Sequence, residues 1–237
     1  MAYHKIILLC PTRNRHEKLI RMMESVHTKH DLSFVIVEDG SETTSKLLNG
    51  KRAKTLVLTT GDHVGSVQAR NMGIRHCLAF EEFDIMIIAT DDIVFDENAI
   101  DRAIASLEHM FPNRVGMVGF RIRVNNNTSN SGVVAVWREL LEVFPEGQVY
   151  YPQYRHFAAQ ELKTVMRRLG IMHEDADALI THYHPRRYKE ERDKTHFEAR
   201  EHKHSDLALW KQRKNLECLW QQDAVAKALQ EAFKEKQ

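Results

Sequence analysis

The sequence predicts an α/β fold, Rossmann-like, with a mostly parallel sheet flanked by helices, and three observations support this prediction. Short, continuous apolar runs, typical of strands buried on both faces, alternate with stretches whose apolar residues recur at helical spacing. This alternation along the chain is typical of parallel α/β sheets. The 237 residues, 43% of them hydrophobic, are enough for one domain with one substantial core.

The first half of the chain contains most of the predicted strands. The run KIILLC, closed by Pro11, predicts a first strand, and Leu19, Met22 and Val26 follow at the spacing of one helix face. The same two criteria assign the other segments. Strands are predicted at 5–10, 33–41, 54–59, 84–90 and 115–122, and helices at 15–27, 65–80 and 97–110.

The second half begins with a polar segment. Residues 125–131 (NNNTSNS) consist of residues that favour turns, and they predict a loop that is either a boundary between two lobes or a mobile segment. We predict further strands and helices beyond this loop: strands at 133–136 and 178–182, and helices at 138–144, 157–169 and 216–235. The single domain would therefore have three parts, which are 1–122, 123–184 and a charged helical tail over 185–237.

The composition excludes several classes of protein. The 34 Lys and Arg residues balance 33 Asp and Glu residues, so the net charge of +1 gives no general reason to expect a nucleic acid or an anionic membrane as partner. Cys10, Cys77 and Cys218 are far apart, which argues against a disulfide framework and favours a reducing cytoplasm. No apolar run approaches the roughly 18 residues of a membrane span, so we expect a soluble, cytoplasmic protein.

Polar and charged side chains follow three of the predicted strands. Ligands of open parallel sheets bind beyond the carboxyl ends of the strands, so these side chains are candidates for a binding site. A carboxylate can accept the N–H of a pyrimidine base, arginines can bind phosphate oxygens, and Asp92 could hold Mn²⁺ or Mg²⁺. The candidates are Pro11, Thr12, Arg13, Asn14 and Arg15 after the first strand, Glu38 and Asp39 after the second, Thr90, Asp91 and Asp92 after the fourth, and Arg70 and Asn71 in the helix before it.

Four blocks of sequence carry a family resemblance. PTRNRHEKLIRMMESV, FVIVEDGSE, GSVQARNMGI and IIATDDIVFDENAI, in this order, resemble the donor-binding half of family 2 glycosyltransferases of the GT-A fold. The resemblance continues more loosely through GVVAVWRELLEVFPEG, HFAAQELKTVMRRLG and ALITHYHP, so it covers about residues 4–184. It implies a nucleotide-diphosphate sugar as donor, an acceptor hydroxyl, a divalent cation (Mn²⁺ or Mg²⁺), and usually inversion at the anomeric carbon.

The resemblance also assigns roles to individual residues. Thr12 and Arg13 would line the nucleoside site, and Asp39 would read the base, which favours a UDP-sugar. Arg70 and Asn71 would lie near the ribose and diphosphate. The aspartate motif that binds the metal has Thr90 in place of its first acid, so Asp92 becomes the direct ligand, with Asp91 beside it. His182 would add a ligand to the metal or the diphosphate, with His184 as the alternative.

The general base is the role that the sequence supports least directly. Relatives commonly place an acidic pair at the start of the helix that here begins HFAAQEL, where this chain has Ala158 and Ala159. An acceptor hydroxyl needs a base to remove its proton. We therefore predict Glu161 as the catalytic base, with Asp175 and Asp177 as alternatives.

The tail leaves several interpretations open. Residues 182–215 contain ten Lys or Arg, six Asp or Glu and five His, which fits a solvated helical face, a lid over the diphosphate or a surface for a polyanionic acceptor. The chain also resembles stand-alone bacteriophage transferases, some of which glycosylate hydroxymethylated bases in DNA. The terminal helix could mediate a homodimer. A sugar nucleotidyltransferase and a non-catalytic nucleotide-sugar-binding protein remain alternative functions.

Overall fold

The computed structural model describes residues 2–40, 48, 54–124, 127–183 and 193–234, and it confirms the predicted α/β class. Its strands are β1 (Lys5–Thr12), β2 (Asp31–Glu38), β3 (Thr55–Thr59), β4 (Ile85–Ile88), β5 (Ile93–Phe95), β6 (Met117–Val124), β7 (Asn127–Trp137) and β8 (Met172–His182). Its helices are α1 (His16–Glu24), α2 (Ser66–Phe80), α3 (Ala99–Met110), α4 (Arg138–Glu142), α5 (Ala158–Arg168), α6 (Lys194–Arg213) and α7 (Gln222–Lys234). A short 3₁₀ turn, Pro145–Gly147, follows α4.

The strands form one sheet in the order β3-β2-β1-β4-β7-β6-β8-β5. The first four strands in this order are parallel, as predicted. Strand β7 runs antiparallel to both of its neighbours, β6 is parallel to β8, and β5 is antiparallel to β8. The parallel half therefore ends all of its strands at one edge, which is where the predicted donor-site residues begin.

The sheet is covered on both faces, which explains the continuous apolar runs of its central strands. Residues Ile6–Thr12 of β1 and all four residues of β4 are buried. Helix α2 approaches β1 and β2 closely at Gly73, where an added Cβ would lie 2.4 Å from Leu9 Cδ1 and 2.9 Å from Val37 Cγ2. The glycine thus sets the depth of the helix that carries Arg70 and Asn71.

The predicted loop at 125–131 is wrong for the residues that the structure describes. Residues 127–131 belong to β7, and Asn127, Thr128 and Asn130 pair with Val124, Arg123 and Arg121 of β6. The segment extends the β6–β7 hairpin, because backbone pairing across a hairpin does not require apolar side chains. One core of buried residues also runs from β1 to β8, across the expected lobe boundary.

Other elements also differ from prediction. The structure adds β5 over only three residues, begins β8 at Met172 rather than at 178, and begins α7 at Gln222 rather than at 216. The connection before α7 buries Leu219, which had suggested helix there. Ser41, the last residue of the predicted second strand, lies outside the described residues. Within the described ranges, no helix is both long enough and apolar enough to cross a bilayer.

Candidate functional site

The ends of β1, β2 and β4 bring separate parts of the sequence together. Strand β1 lies between β2 and β4, with Thr12 opposite Glu38. The Thr12 hydroxyl donates to Asp91 Oδ2 at 2.8 Å, and the Asp39 N–H donates to the Thr12 carbonyl at 2.9 Å. All four of these residues are buried, so the polar edge of the sheet is enclosed by protein.

Two acidic residues form the centre of this edge. Arg15 Nη1 lies 3.1 Å from Asp91 Oδ1 and 3.8 Å from Asp92 Oδ2, so one guanidinium lies against both carboxylates. Strand β8 brings in His182, whose Nε2 lies 3.2 Å from Asp92 Oδ2, and the Tyr183 N–H donates to the Asp92 carbonyl. Five predicted residues, counting Thr12, therefore meet at one place.

The two carboxyl groups have different proton affinities. Burial raises the pKa of Asp91, and the charge of Asp92 raises it further, against the opposing charge of Arg15. Burial also raises the pKa of Asp92, but the hydrogen bond and charge of His182, together with Arg15 and a hydrogen bond from Thr90, hold it well below its usual value. Asp92 is therefore the carboxylate that stays ionised and available to a cation.

Asp92 and His182 together form a pair that fits a divalent cation. Their Oδ2 and Nε2 atoms are close enough to share one ion, and a carboxylate with an imidazole suits Mn²⁺ better than Mg²⁺, which prefers oxygen ligands. In the described part of the chain, no group of three or more His, Cys, Asp or Glu side chains could hold a metal. An ion held by this pair would need further ligands from outside these side chains.

Asp39 has a different environment from the acid pair. Its carboxylate accepts the N–H of Val64 at 2.7 Å and of Gly65 at 3.0 Å, and His63 Nδ1 lies 2.8 Å from Oδ2. Thr60 Oγ1 lies 3.3 Å from Oδ1, and its hydroxyl donates to the nearer Asp62 carbonyl at 2.7 Å. Asp39 thus organises the loop between β3 and α2.

Helix α6 lies against the turn that joins β1 to α1. Arg15 Nη2 and Lys18 Nζ bind Asp193 at 2.8 and 3.1 Å, and Arg13 Nη1 is ion-paired with Glu198. Asn14 lies in this turn with a left-handed φ of 55°, and Pro11 is buried before it in β1. Acids near the start of the tail therefore contact Arg13 and Arg15, two predicted donor-site residues, and Lys18, which was not predicted.

The two predicted residues of α2 behave differently. The Asn71 amide is buried, donates to the Tyr150 carbonyl at 2.8 Å and accepts the Tyr150 N–H at 3.0 Å. Both of its polar atoms thus hold the segment before α5. Arg70 is partly exposed, and its charge acts on buried Cys10 and on His156. Arg70 therefore lies near the acid pair, whose charges also act on Cys10.

Glu161 is bound by the C-terminal region. Arg213 donates from Nε and Nη2 at 2.8 and 2.7 Å, the Tyr154 hydroxyl donates at 2.9 Å, and the Trp220 N–H donates at 2.9 Å. These bonds engage both oxygens of a side chain that is only 2% exposed. The structure thus uses Glu161 to anchor the end of α6, and these bonds leave it little capacity to accept a substrate proton.

The alternative acids and histidine lie elsewhere. Asp175 accepts the hydroxyl of Ser106 on α3, and Asp177 Oδ2 lies 3.5 Å from Arg102 on the same helix. Neither acid contacts Asp92 or His182 in the described chain. His184 lies outside the described residues.

His156 is a site residue that the sequence did not single out. It immediately precedes Phe157 and α5, its backbone N–H donates to Asp206 at 2.6 Å, and its side chain is exposed. Desolvation of the ring by the surrounding protein and the charge of Arg70 lower its pKa to about 4. The charges of Arg15 and Asp92 also act on it. A neutral imidazole thus lies near the acid pair. The sequence signal that could have found His156 was its place as the first residue of HFAAQEL, the segment in which the base was expected.

Comparisons with known proteins agree on the fold. The mannosyltransferase PcManGT from Pyrobaculum calidifontis, solved with GDP-Man and Mn²⁺, matches with a TM-score of 0.68 and 13% identity over 98% of this chain and 70% of that one. The glucosyl-3-phosphoglycerate synthase from Mycobacterium tuberculosis, solved with Mn²⁺, UDP and phosphoglyceric acid, matches with a TM-score of 0.61 and 16% identity over 88% and 78%.

A third similar structure is TarS 1-349 of S. aureus with UDP-GlcNAc, at a TM-score of 0.61 and 15% identity over 81% of this chain. The chain spans 60% of that protein, and 58% in another TarS structure. No protein-family model and no curated protein sequence matches the chain. At these identities, the similarities confirm the GT-A type of fold and leave the reaction to the residues of the site.

Proposed function

We propose that this chain transfers a sugar from a nucleotide-diphosphate sugar to an acceptor hydroxyl, as a family 2-like enzyme. The observation that carries the proposal is the meeting of Arg15, Asp91, Asp92 and His182 at one edge of a GT-A sheet. Buried acids beside a guanidinium and an imidazole, with arginines around them, are costly unless a charged ligand uses them. The fold is shared with enzymes solved with UDP- or GDP-sugars, which supports this ligand class.

The donor would bind through its diphosphate. Asp92 and His182 would hold Mn²⁺, or less readily Mg²⁺, and the ion would supply positive charge to the departing diphosphate. Arg13, Arg15 and Lys18 would bind phosphate oxygens in exchange for the carboxylates of α6. The tail thereby acts as a cover whose acids occupy these cations until the donor arrives.

The acceptor would be activated by His156. The acceptor oxygen attacks the anomeric carbon, the bond from that carbon to the diphosphate oxygen breaks, and the hydroxyl proton passes to the imidazole. Attack from the face opposite the diphosphate would invert the anomeric carbon. His156 takes this role instead of Glu161 because Glu161 is enclosed by Arg213, Tyr154 and Trp220. The lowered pKa keeps the His156 ring neutral, so one ring nitrogen can accept a proton; Nδ1 lies 3.5 Å from the Ser66 hydroxyl, and the acceptor would use Nε2.

Hydrolysis of the donor tests the reaction without knowledge of the acceptor. We expect the protein with Mn²⁺ to release a nucleoside diphosphate slowly from a UDP- or GDP-sugar, and Asp92→Ala to lower that rate by about 10²-fold or more. Asp223→Ala, which changes an exposed acid on α7, is the matched control and should keep the full rate. An Asp92→Ala protein as active as the unmodified one would refute the proposal. Release of pyrophosphate from a nucleoside triphosphate would instead indicate a nucleotidyltransferase.

A further inference from the structure

The Asp39 carboxylate has little capacity left for a ligand. An ionised carboxylate offers about four lone-pair positions. Here it accepts the Val64 and Gly65 N–H groups and is bound by His63 Nδ1, and Thr60 Oγ1 lies 3.3 Å from Oδ1. Its side chain is 5% exposed. A nucleobase that used Asp39 directly would have to displace one of these donors.

The bond to Asp39 fixes the tautomer of His63. A carboxylate only accepts hydrogen bonds, so Nδ1 of His63 must carry the proton. In the neutral ring, Nε2 is then a hydrogen-bond acceptor. The His63 side chain is 40% exposed, whereas that of Asp39 is 5% exposed. A ligand can therefore donate a hydrogen bond to His63 Nε2 more readily than to the Asp39 carboxylate.

The backbone holds His63 in a defined position. Gly40, directly after Asp39, has a φ of +73°, and a Cβ there would lie 2.7 Å from the His63 backbone nitrogen. The Gly40 N–H also donates to Thr60 Oγ1 at 3.0 Å. The end of β2 and the loop before α2 therefore touch, and His63 cannot move far from the sheet edge without breaking these contacts.

Nε2 faces the side of the site that contains Arg13. It lies 3.9 Å from Glu198 Oε2, and the same oxygen is paired with Arg13. When the donor displaces the acids of α6, both His63 and Arg13 lose that partner together. The space between them is therefore bordered by an acceptor nitrogen and a guanidinium.

We propose that His63, oriented by Asp39, determines which nucleobase the donor carries. This inference rests on the proposed function and deepens it. Nε2 accepts the ring N–H of uracil or thymine (N3) or of guanine (N1). Cytosine and adenine present an unprotonated ring nitrogen at the equivalent edge, so they would face Nε2 acceptor to acceptor. The site would thus select uridine, thymidine or guanosine diphosphate sugars over those of cytidine or adenosine.

Calorimetric binding of UDP and CDP in the presence of Mn²⁺ tests the assignment. We expect the unmodified protein to bind UDP at least about tenfold more tightly than CDP, because the wrong base leaves a polar group unpaired. His63→Phe should weaken the binding of UDP by about tenfold and leave the binding of CDP nearly unchanged, so the preference for UDP disappears. His63→Gln, whose amide oxygen can accept, should restore part of it. His109→Phe, an exposed histidine on α3, is the matched control.

The outcomes separate the two proposals. A UDP preference that survives in His63→Phe, or tight binding of both nucleotides without preference, would overturn the role of His63 and leave the proposed function standing. No binding of UDP, dTDP, GDP or CDP by the unmodified protein would refute both. Unchanged thermal unfolding of His63→Phe would exclude loss of the fold as the cause of weaker binding.

Discussion

The buried ion pair between Glu161 and Arg213 makes the sharpest prediction about stability. Arg213→Met removes two charge-assisted hydrogen bonds and leaves a carboxylate that is 2% exposed with only Tyr154 and the Trp220 N–H. Removing one partner of a buried pair costs about 3–5 kcal/mol. Because two hydrogen bonds remain, we expect the free energy of unfolding to fall by about 3 kcal/mol at pH 7.

The pH dependence of this loss has a definite sign. Burial raises the pKa of Glu161, but hydrogen bonds from Arg213, the Trp220 N–H and Tyr154 lower it below its ordinary value. The ionised form therefore adds stability above the unfolded pKa, and that contribution is lost as the pH falls through the folded pKa. The Arg213→Met protein lacks most of this contribution. The difference in unfolding free energy between it and the unmodified protein should therefore shrink below about pH 4.5.

Urea unfolding of a double-mutant cycle measures the pair directly. Arg213→Met should cost much less in a Glu161→Gln background, where no buried charge is left unpaired. Arg200→Met, an exposed arginine on the same helix, is the matched control and should change stability by less than about 0.5 kcal/mol. Equal costs of Arg213→Met in both backgrounds would refute the reasoning, because the loss would then not depend on the carboxylate.

Two further predictions concern the tail and a buried histidine. The double variant Asp193→Ala, Glu198→Ala should bind UDP roughly twofold to fivefold more tightly in calorimetry. The reason is that it frees Arg13 and Arg15 from ion pairs worth about 0.4–1 kcal/mol. Weaker binding would mean that these acids support the site. Burial lowers the pKa of His30, so its contribution to stability is present above the unfolded pKa of about 6.5 and is lost as the pH falls through the lower folded pKa. His30→Asn should therefore lose less unfolding free energy between pH 7.5 and 5.5 than the unmodified protein, and equal losses would contradict the assignment.

The sheet could be predicted from sequence because its central strands are buried on both faces. Runs such as KIILLC can be recognised as strands from their composition alone. In a parallel sheet, the polar residues that follow such strands must meet at one edge. This logic correctly placed Thr12, Asp91 and Asp92 together, and the family resemblance added His182. The strand β5 and the start of β7 were missed because three residues are too few for a periodic signal and Asn and Ser side chains favour loops locally.

The partners of individual side chains could not be predicted in the same way. Glu161 looked like an acid on a polar helix face, but its main partner, Arg213, is 52 residues away on a helix whose packing leaves no local signature. Asn71 and Tyr150 are likewise joined over 79 residues. The hydrogen bonds of Asp39 depend on a loop that folds back onto the end of β2. Such contacts arise from tertiary packing, which residue types and spacing do not specify.

A crystal soaked with UDP and Mn²⁺ tests the central claim most directly. The account predicts an anomalous manganese peak bound by Asp92 Oδ2 and His182 Nε2, with the diphosphate on the ion and on Arg13 or Arg15 in place of the α6 carboxylates. Manganese bound elsewhere, or a nucleotide away from the ends of β1 and β4, would contradict it.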